Sequence, residues 1–266
     1  MPRGKSSAVP PIKQIHALFH RFCTKRNKTA RFSYNRCVEE FTLSEERVNG
    51  GFVAHLYNAL LPAAVAAGGA GELSFGGDRA AIRIRAPEGA QIKQAAAEAV
   101  AEIVCIGYKY RFMEERLSVC LSRRERRLLI SALIAADFAG DAAYVRRKAK
   151  VGGEWAVDGF WNFRLAALRE KWERIVRYVP AGFSAPDLKK FCAFLAGESA
   201  NKIYLKGNVV YGADFMPLRK SRLTGEEDVC SEIVLSDAGF IYCLGDVEDS
   251  VGDFLQKYYA ERAIFS

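Results

Sequence analysis

The strongest constraint in this sequence is an apolar stripe in its middle third. The stripe residues recur every three or four positions, which places them on one face of an α-helix. At 1.5 Å per residue, such a helix would be about 45 Å long. We therefore predict a long central helix that carries much of the core. The stripe consists of Ile92, Ala96, Ala99, Ile103, Ile106, Tyr110, Met113, Leu117 and Leu121.

A second helix is predicted directly after the stripe. Ser122 offers an N-cap and Glu125 stands three residues later, which is the capping-box pattern. A glycine often ends one helix, and a capping residue such as aspartate directly after it often begins the next. We therefore expect Gly140 to end this helix, and Asp141 to cap a short third helix that runs to Lys150.

Further helices are predicted outside this region, and three of them have clear boundary signals. One covers residues 48–65 and is interrupted by Pro62. Another begins with Asp158 as its N-cap and ends before Pro180. A third has Pro186 in its first turn, where proline is well tolerated. Helices therefore dominate the chain from its middle onward.

Alternation of apolar and polar residues predicts strands near both ends of the chain. Residues 72–86 have the pattern of a β-hairpin, with an apolar face and a basic face that carries Arg83 and Arg85. Towards the C-terminus, turns separate residues 203–205 from 209–211, and residues 229–235 from 240–244. We interpret these four segments as two more hairpins.

Together these elements predict an α+β, helix-rich fold. We expect long central helices, a small N-terminal α/β part and a short C-terminal antiparallel β-unit. The predicted division is a basic N-terminal α+β region at 1–87, a helical domain at 88–198, and a β-hairpin unit with a terminal helix at 199–266. Because no polar, proline-rich linker separates them, the three parts could form one packed body.

Cysteine usage and hydropathy favour a cytoplasmic protein. The seven cysteines are odd in number and include no Cys-x-x-Cys, which argues against a disulfide framework and a zinc ribbon. We interpret them as reduced, mostly buried thiols. No run approaches the roughly 20 apolar residues of a membrane helix, and the pattern of a secretory signal is missing. We therefore expect no membrane span.

The positive charge is concentrated at the N-terminus. The net charge is +8, and residues 1–38 contain nine Lys and Arg and no acid. The rest of the chain carries 30 basic and 31 acidic residues, so it is nearly neutral. Such asymmetry is typical of attraction to a polyanion, either nucleic acid or an anionic membrane surface. A solvated, solubilising segment would have the same composition.

Candidate anion-binding residues occur in that basic segment and in the arginine run after Ser122. Free N–H groups and the macrodipole make a helix N-terminus favourable for anions. Residues 146–148 are also basic, and we expect them to share the surface. The alternative is a solvated helix face that pairs with nearby acids. The candidates are Arg21, Lys25, Arg26, Lys28, Arg31, Arg36, Arg123, Arg124, Arg126 and Arg127.

Aromatic residues alternate with cations in two places, at residues 32–36 and 108–112. Such mixtures can stack bases and hold phosphates. Tyr110 also belongs to the apolar stripe, so we favour core packing for the second group.

The sequence offers little support for metal or catalytic chemistry. His16, His20 and Cys23 share one face of a predicted helix, and Cys37 could add a fourth ligand. The surrounding cations oppose a bound metal ion, so we predict no metal and no cofactor. Glycines 68, 69 and 71 lack the ending of a phosphate loop, and the acids at 226–228 are interpreted as solvated. The catalytic residues are unknown, and no nucleophile is nominated.

Two segments share local sequence with a known family. Residues 108–115 read Tyr-Lys-Tyr-Arg-Phe-Met-Glu-Glu and precede a capped helix with Arg126 and Leu128-Leu129. Residues 158–165 read Asp-Gly-Phe-Trp-Asn-Phe-Arg-Leu, and a short β-rich end follows. In these features residues 96–195 resemble the YtxC-like putative sporulation proteins of Firmicutes.

The resemblance implies a cytoplasmic bacterial protein made during sporulation, whose biochemical role is unknown. That family has no established catalytic residues, so the resemblance assigns none to this chain. Within the second segment, we expect Arg164 to form a salt bridge from a core helix to a neighbouring acid.

Three functions remain open from the sequence. The leading hypothesis is a non-enzymatic structural or interaction module with a protein partner. The first alternative is a nucleic-acid-binding protein that uses residues 1–38, Arg83, Arg85 and residues 123–127. The second alternative is an enzyme acting on a phosphorylated substrate. Nucleic-acid binding would weaken steeply with salt, an enzyme would need a pocket of convergent titratable groups, and a scaffold would expose an apolar patch.

Overall fold

The computed structural model describes residues 38–88 and 91–265. The predicted first helix, with His16, His20 and Cys23, lies outside the described residues, as do Cys37 and the aromatic residues at 32–36. The α+β, helix-rich class is confirmed, because the described chain combines helices with two four-stranded sheets.

The first sheet contains the predicted hairpin. Its strands lie in the order β2-β3-β1-β4, and β3 is antiparallel to both β1 and β2, whereas β4 is parallel to β1. Alternate side chains of β3, such as Ile82 and Ile84, are buried against helix α1. The bounds are β1 Val38–Glu46, β2 Ala70–Gly76, β3 Arg79–Pro87, β4 Gly153–Ala156 and α1 Gly50–Ala66.

The predicted central helix exists but is shorter and contains a π-helical segment. It comprises α2 Ile92–Glu102, the π-helix Ile103–Tyr108 and α3 Lys109–Arg116. We predicted that it would reach Leu121, and that was wrong. Arg126 of the next helix donates to the carbonyl oxygens of Glu114 and Leu117, at 2.6 Å each. These bonds satisfy carbonyl groups that a continuing helix would have used.

The following helix, α4 Arg123–Lys148, begins as predicted and ends later than predicted. Its capping box is complete: the Ser122 hydroxyl accepts from the Glu125 N–H, and the Glu125 carboxylate accepts from the Ser122 N–H. The predicted break at Gly140 was wrong. Asp141 is not a cap, because its carboxylate is buried inside the protein. Ala142 is buried beyond it, so packing holds the helix through the glycine.

The segment predicted as one helix from Asp158 to Val179 is two helices. Leu165, with φ −116° and ψ 30°, interrupts it between α5 Val157–Arg164 and α6 Ala166–Tyr178. Asp158 lies in the first turn of α5 and is not its N-cap. The helix predicted at Pro186 is confirmed as α7 Ala185–Glu198, with a capping box formed by Ser184 and Asp187.

The second sheet confirms one predicted hairpin and corrects the other. Strands β5 and β6 pair antiparallel, but β7 pairs parallel with both β5 and β8, so the unit is mixed and not wholly antiparallel. Residues 229–235, predicted as a strand, form helix α8. The bounds are β5 Lys202–Lys206, β6 Val209–Tyr211, β7 Phe240–Cys243, β8 Ala263–Phe265, α8 Val229–Leu235 and α9 Asp249–Tyr258.

The misassigned segment is a buried helix. Asp228 accepts a hydrogen bond from the Ser231 N–H at 2.8 Å and so caps the helix. All residues from Cys230 to Leu235 are buried. A short run that is buried on all sides has no periodicity that separates a helix from a strand.

Helix α4 joins two apolar clusters. Its Ile130, Ile134 and Val145 pack in the first cluster, with sheet 1 and α1 to α3. Its Leu128 and Leu129 pack in the second cluster, with sheet 2 and α7 to α9. The proposed division at residues 87 and 198 stays a prediction.

Helix α4 is also, by length and composition, able to cross a membrane. Among the described residues it is the one helix that is long and apolar enough to do so. Half of its most apolar part is buried inside the fold, and a core helix of a soluble protein can have the same length and composition. The expectation that the chain has no membrane span stays a prediction.

Candidate anion-binding pocket

A pocket of about 440 Å³ opens between the end of β1, helix α3 and helices α5 and α6. Both segments that carry the family resemblance contribute to its wall. Three of its side chains are arginines, and they come from two different helices. It is lined by Glu46, Val48, Asn49, Tyr108, Arg111, Phe112, Glu115, Arg116, Asp158, Trp161, Asn162 and Arg169.

A buried carboxyl group lies behind the pocket. Glu45 is fully buried on β1, because the alternation of the strand turns it towards the core with Phe41 and Leu43. Its oxygens accept from the Tyr108 hydroxyl at 2.9 Å and from the Asn49 amide at 2.9 Å. Burial raises the pKa of Glu45, although these hydrogen bonds favour its ionised form. The network fixes two residues of the pocket wall.

Arg111 projects into the pocket from α3 without an acidic partner among the described residues. One guanidinium N–H donates to the amide oxygen of Asn49. The guanidinium carbon lies 4.7 Å from the centre of the Phe52 ring. Both contacts orient the side chain, but neither neutralises its charge.

Arg169 approaches the same pocket from α6 and is held in a similar way. Its Nη1 donates to the carbonyl oxygens of Trp161 at 2.6 Å and Asn162 at 2.9 Å. Its guanidinium carbon lies 5.3 Å from the Trp161 ring. The accepting carbonyls belong to the last turn of α5, which has few backbone donors for them. Within the described chain Arg169, like Arg111, has no carboxylate within ion-pair distance.

Of the other charges of the wall, Asp158, Glu115 and Arg116 are paired, whereas Glu46 is exposed and has no ion-pair partner among the described residues. Asp158 binds Arg79 at 2.6 Å, and that hydrogen bond holds the pKa of Asp158 below its usual range. Arg116 contacts Glu115 at 2.9 Å and lies over the Phe112 ring, 4.1 Å from its centre. Arg111 and Arg169 are therefore the two cations of the pocket that are free to bind an external anion.

A column of stacked rings makes the wall rigid. The ring centres of Tyr108 and Trp161 are 5.2 Å apart, and those of Trp161 and Trp172 are 5.1 Å apart. Phe112 meets Trp172 edge-on at 5.8 Å. Aromatic pairs at these distances contribute about 0.5–1.5 kcal/mol beyond their buried area. This column connects α3, α5 and α6.

A groove of about 550 Å³ continues from the pocket along α6 and shares Phe112, Arg116 and Arg169 with it. Its remaining lining residues are two acids followed along the helix by two arginines. They are Glu170, Glu173, Arg174 and Arg177.

Buried charges anchor the helices that form the pocket. Lys109 is fully buried, and its amine lies 3.0 Å from Asp141 and 3.3 Å from Asp137. Asp141 also accepts from Lys171 at 2.7 Å and from the Trp172 indole at 2.7 Å. Burial alone would raise the pKa of Asp141, but Lys109 and the hydrogen bonds lower it. The carboxylate therefore ties α3, α4 and α6 together.

The arginine run predicted as an anion site lies at the start of α4, where two of its arginines pair with an acid and two bind neutral acceptors. Arg123 and Arg127 both bind Glu226. Arg124 donates to the Cys230 sulfur at 3.4 Å and to the Ser250 carbonyl at 3.1 Å. Arg126 binds the carbonyl oxygens at the end of α3. A cleft of about 310 Å³ lies beside three of these arginines.

Several related expectations need correction. Glu226 is an ion-pair partner and Asp228 is a helix cap, so the acids at 226–228 are not simply solvated. Residues 146–148 lie at the opposite end of α4 from Arg123, about 35 Å away, and cannot share its surface. Arg164 is exposed and forms no salt bridge with any described residue, contrary to expectation.

The remaining predicted site residues are outside the described chain. These are Arg21, Lys25, Arg26, Lys28, Arg31 and Arg36. In the described part, no group of three or more His, Cys, Asp or Glu could hold a metal ion. Arg83 and Arg85 both pair with Glu40 on the first sheet.

The pocket was only partly recognisable in the sequence. Residues 108–112 were recognised as a mixture of aromatics and cations, and three of them are indeed buried aromatics. Arg169 was missed because the α6 pattern was interpreted only for its apolar face. Nothing in a single sequence places it opposite Arg111.

Comparisons with models of known families, with curated proteins and with solved structures find no match to this chain.

Proposed function

We propose that this protein is a binding module that holds a phosphorylated small molecule in the arginine pocket. The proposal rests on Arg111 and Arg169, which are held in place but have no carboxylate partner in the described chain. Both guanidinium groups line one pocket, and both are oriented by neutral acceptors and aromatic rings instead of carboxylates. An oriented guanidinium without a counter-charge is well suited to bind phosphate oxygens.

The proposal keeps the non-enzymatic character of the leading hypothesis from the sequence, but it replaces the protein partner with a small molecule. The resemblance to YtxC-like sporulation proteins and the cytoplasmic location stay predictions. A cytoplasmic binding module would meet phosphorylated metabolites routinely, so the two expectations are compatible.

Isothermal titration calorimetry with inorganic pyrophosphate and a nucleoside monophosphate tests the proposal. The full chain should bind at least one of them in low salt. Arg111→Gln and Arg169→Gln should each weaken binding about 10-fold or more, because a hydrogen bond to a charged group contributes about 1.5–3 kcal/mol.

Arg147→Gln is a matched control. Arg147 is exposed, lies 5.9 Å from the Tyr144 ring, and has no acidic partner in the described chain, but it lines none of the clefts described above. Its substitution should leave binding unchanged. Equal losses in Arg147→Gln and Arg169→Gln would indicate non-specific charge attraction, and absence of any binding would refute the proposal.

The charge of residues 1–38 supports nucleic-acid binding as a second candidate function. Fluorescence anisotropy with labelled DNA and RNA at about 50 and 200 mM salt tests it. A chain lacking residues 1–38 should lose salt-sensitive binding if those residues are the site. Unchanged binding by the shorter chain would exclude them.

A further inference from the structure

The inner face of the second sheet is apolar and buried, whereas its outer face carries lysines and aromatic residues. Strand β5 turns Ile203 and Leu205 into the core, so Lys202, Tyr204 and Lys206 lie on the other side. Strands β6 and β7 follow the same alternation. Their outward residues are Val209, Tyr211, Phe240 and Tyr242.

The register of the strands aligns these residues in one row across the sheet. Tyr211 is opposite Tyr204, Tyr204 is opposite Tyr242, and Tyr242 is opposite Ile264. The ring centres of Tyr204 and Tyr242 are 5.4 Å apart with nearly parallel planes, at 27°. The row therefore places half-buried aromatic rings on successive strands, with the faces of Tyr204 and Tyr242 against each other.

Phe215 extends this row beyond the strands. Its ring stacks on Tyr204 with centres 4.4 Å apart, yet 58% of the residue remains exposed. Its backbone has a φ of 59°, an unfavourable region for a residue with a bulky side chain. The neighbouring Met216 is 62% exposed. The loop thus holds an aromatic ring at the surface despite the conformational cost.

Cations flank the aromatic rings of the strands, and Asp214, in the loop beside Phe215, is an acid next to them. The four strands of this sheet contain no Asp or Glu. Lys202 and Lys206 are exposed, and the Arg262 guanidinium lies 5.1 Å from the centre of the Phe240 ring. None of these three cations has a carboxylate within ion-pair distance in residues 38–88 and 91–265. The face is therefore both aromatic and basic.

The described helices leave this face open. Helices α7, α8 and α9 pack against the inner residues of the sheet in the second apolar cluster. Tyr204, Tyr211 and Tyr242 belong to neither apolar cluster.

We infer that the outer face of the second sheet binds single-stranded nucleic acid. Bases stack on exposed aromatic rings, and every base has a face that can do so. Lysine and arginine beside the rings would hold the phosphates that link those bases. A four-stranded sheet with aromatic residues on one open face is a known geometry for such recognition. This site is separate from the arginine pocket and does not depend on it.

Charge argues against the other occupants of this face. A second copy of the chain would bring the same basic face against it. Residues 1–38 carry nine cations and no acid, so they are not complementary to it either. An anionic membrane surface would match the charge, but it would not require aromatic rings aligned at stacking distance. Membrane binding is therefore an outcome that the experiment must distinguish.

Fluorescence anisotropy of the full chain with labelled 12-nucleotide oligo-dT and oligo-U, and with a duplex of equal length, tests the inference. Phe215→Ala should weaken single-strand binding about 5-fold or more, the loss expected for one stacked base. Tyr204→Leu should weaken it as well, because the Tyr204 ring lies between Tyr242 and Phe215 and supports the exposed ring. The double variant Lys202→Gln/Lys206→Gln should lower the salt slope of single-strand binding by about 1.4. Duplex binding should change less.

The controls are an exposed aromatic residue and an exposed lysine elsewhere. Tyr178→Ala, at the end of α6, and Lys189→Gln, on α7, should bind as the unsubstituted chain does. Circular dichroism and thermal unfolding should show that every variant is folded. If Tyr204→Leu does not fold, Phe215→Ala carries the test of the aromatic residues alone, because Phe215 lies in an exposed loop.

Three outcomes would overturn the inference. The first is no single-strand binding at about 50 mM salt. The second is binding that the face variants and the controls reduce equally, which would place the site elsewhere, such as in residues 1–38. The third is sedimentation with phosphatidylserine vesicles that requires Tyr204 and Phe215 when oligonucleotide binding does not. A negative result for this face would not bear on the arginine pocket, because the pocket is tested separately by titration with small phosphates.

Discussion

At the scale of single residues, buried ionised groups are the most sensitive points of this protein. Asp141 holds three donors from two other helices and is almost completely buried. Its removal would leave the fully buried Lys109 with only the more distant Asp137. Breaking a buried pair by removing one partner is costly, because the remaining charge stays desolvated.

We therefore expect Asp141→Asn to lower the free energy of unfolding by about 3 kcal/mol or more in urea denaturation at pH 7. Asp137→Asn is the matched control, because Asp137 contacts the same two lysines but is partly exposed. Asp137→Asn should lower the free energy of unfolding by about 1 kcal/mol or less. Equal effects of the two substitutions would show that burial is not the cause.

The stability contributed by the Asp141–Lys109 pair depends on pH. The folded-state pKa of Asp141 is lowered, so its contribution is present above the unfolded value near 4 and is lost as the pH falls through the folded value. The stability difference between the unsubstituted chain and Asp141→Asn should therefore shrink below about pH 4. A difference that grows on acidification would contradict the assignment.

Glu45 should show the opposite pH dependence. Burial raises its folded-state pKa, so its contribution is present below the unfolded value and is lost as the pH rises through the folded value. We expect Glu45→Gln to be most destabilising near pH 4 and least so near pH 8, in urea denaturation at both pH values. A constant difference between the two would mean that Glu45 titrates as in the unfolded chain.

At the scale of elements, the π-helix in the central helix is the most constrained part of the fold. All six of its residues are buried, and Gly107 lies against Phe52 of α1. A Cβ at Gly107 would come within 2.5 Å of that ring and 3.1 Å of the Leu223 carbonyl oxygen. The glycine therefore permits the close approach of α1 to the central helix.

Substitution of this glycine should be destabilising for that reason. We expect Gly107→Ala to lower the free energy of unfolding by about 1–3 kcal/mol, the usual cost of overpacking. Gly140→Ala, in the middle of α4 with no atom near the new Cβ, should instead raise it by about 0.5–1 kcal/mol. Thermal unfolding of the two variants should therefore shift in opposite directions, and a stabilising Gly107→Ala would show that the π-helix is loosely packed.

At the scale of the whole molecule, helix α4 should couple the two apolar clusters. All three tryptophans, at 155, 161 and 172, pack in or against the first cluster. Tryptophan fluorescence therefore reports on that cluster, whereas far-ultraviolet circular dichroism reports on every helix. Because α4 contributes side chains to both clusters, the two signals should follow one cooperative transition.

Ile241→Ala in the second cluster tests this coupling. Ile241 is fully buried in β7, and its truncation should cost about 2–5 kcal/mol. The transition detected by tryptophan fluorescence should shift by the same amount as the circular dichroism signal. A fluorescence transition that stays in place would show that the predicted division near residue 198 separates independent folding units.

The sequence by itself determined the helices with clear periodicity or caps, since those signals are local. The stripe of the central helix, the capping box at Ser122, the helix start at Pro186, and the hairpin at residues 72–86 follow from spacing and capping chemistry alone. The α+β class followed from the same signals.

Only the tertiary structure decided the rest, because it depends on contacts between distant residues. Burial on all sides made residues 229–235 a helix, and the sheet partners of β7 made the second sheet mixed. Asp141 became a buried ion-pair residue because Lys109 and Lys171 approach it from other helices. The convergence of Arg111 with Arg169 likewise depends on how α3, α5 and α6 pack, and no local pattern encodes that.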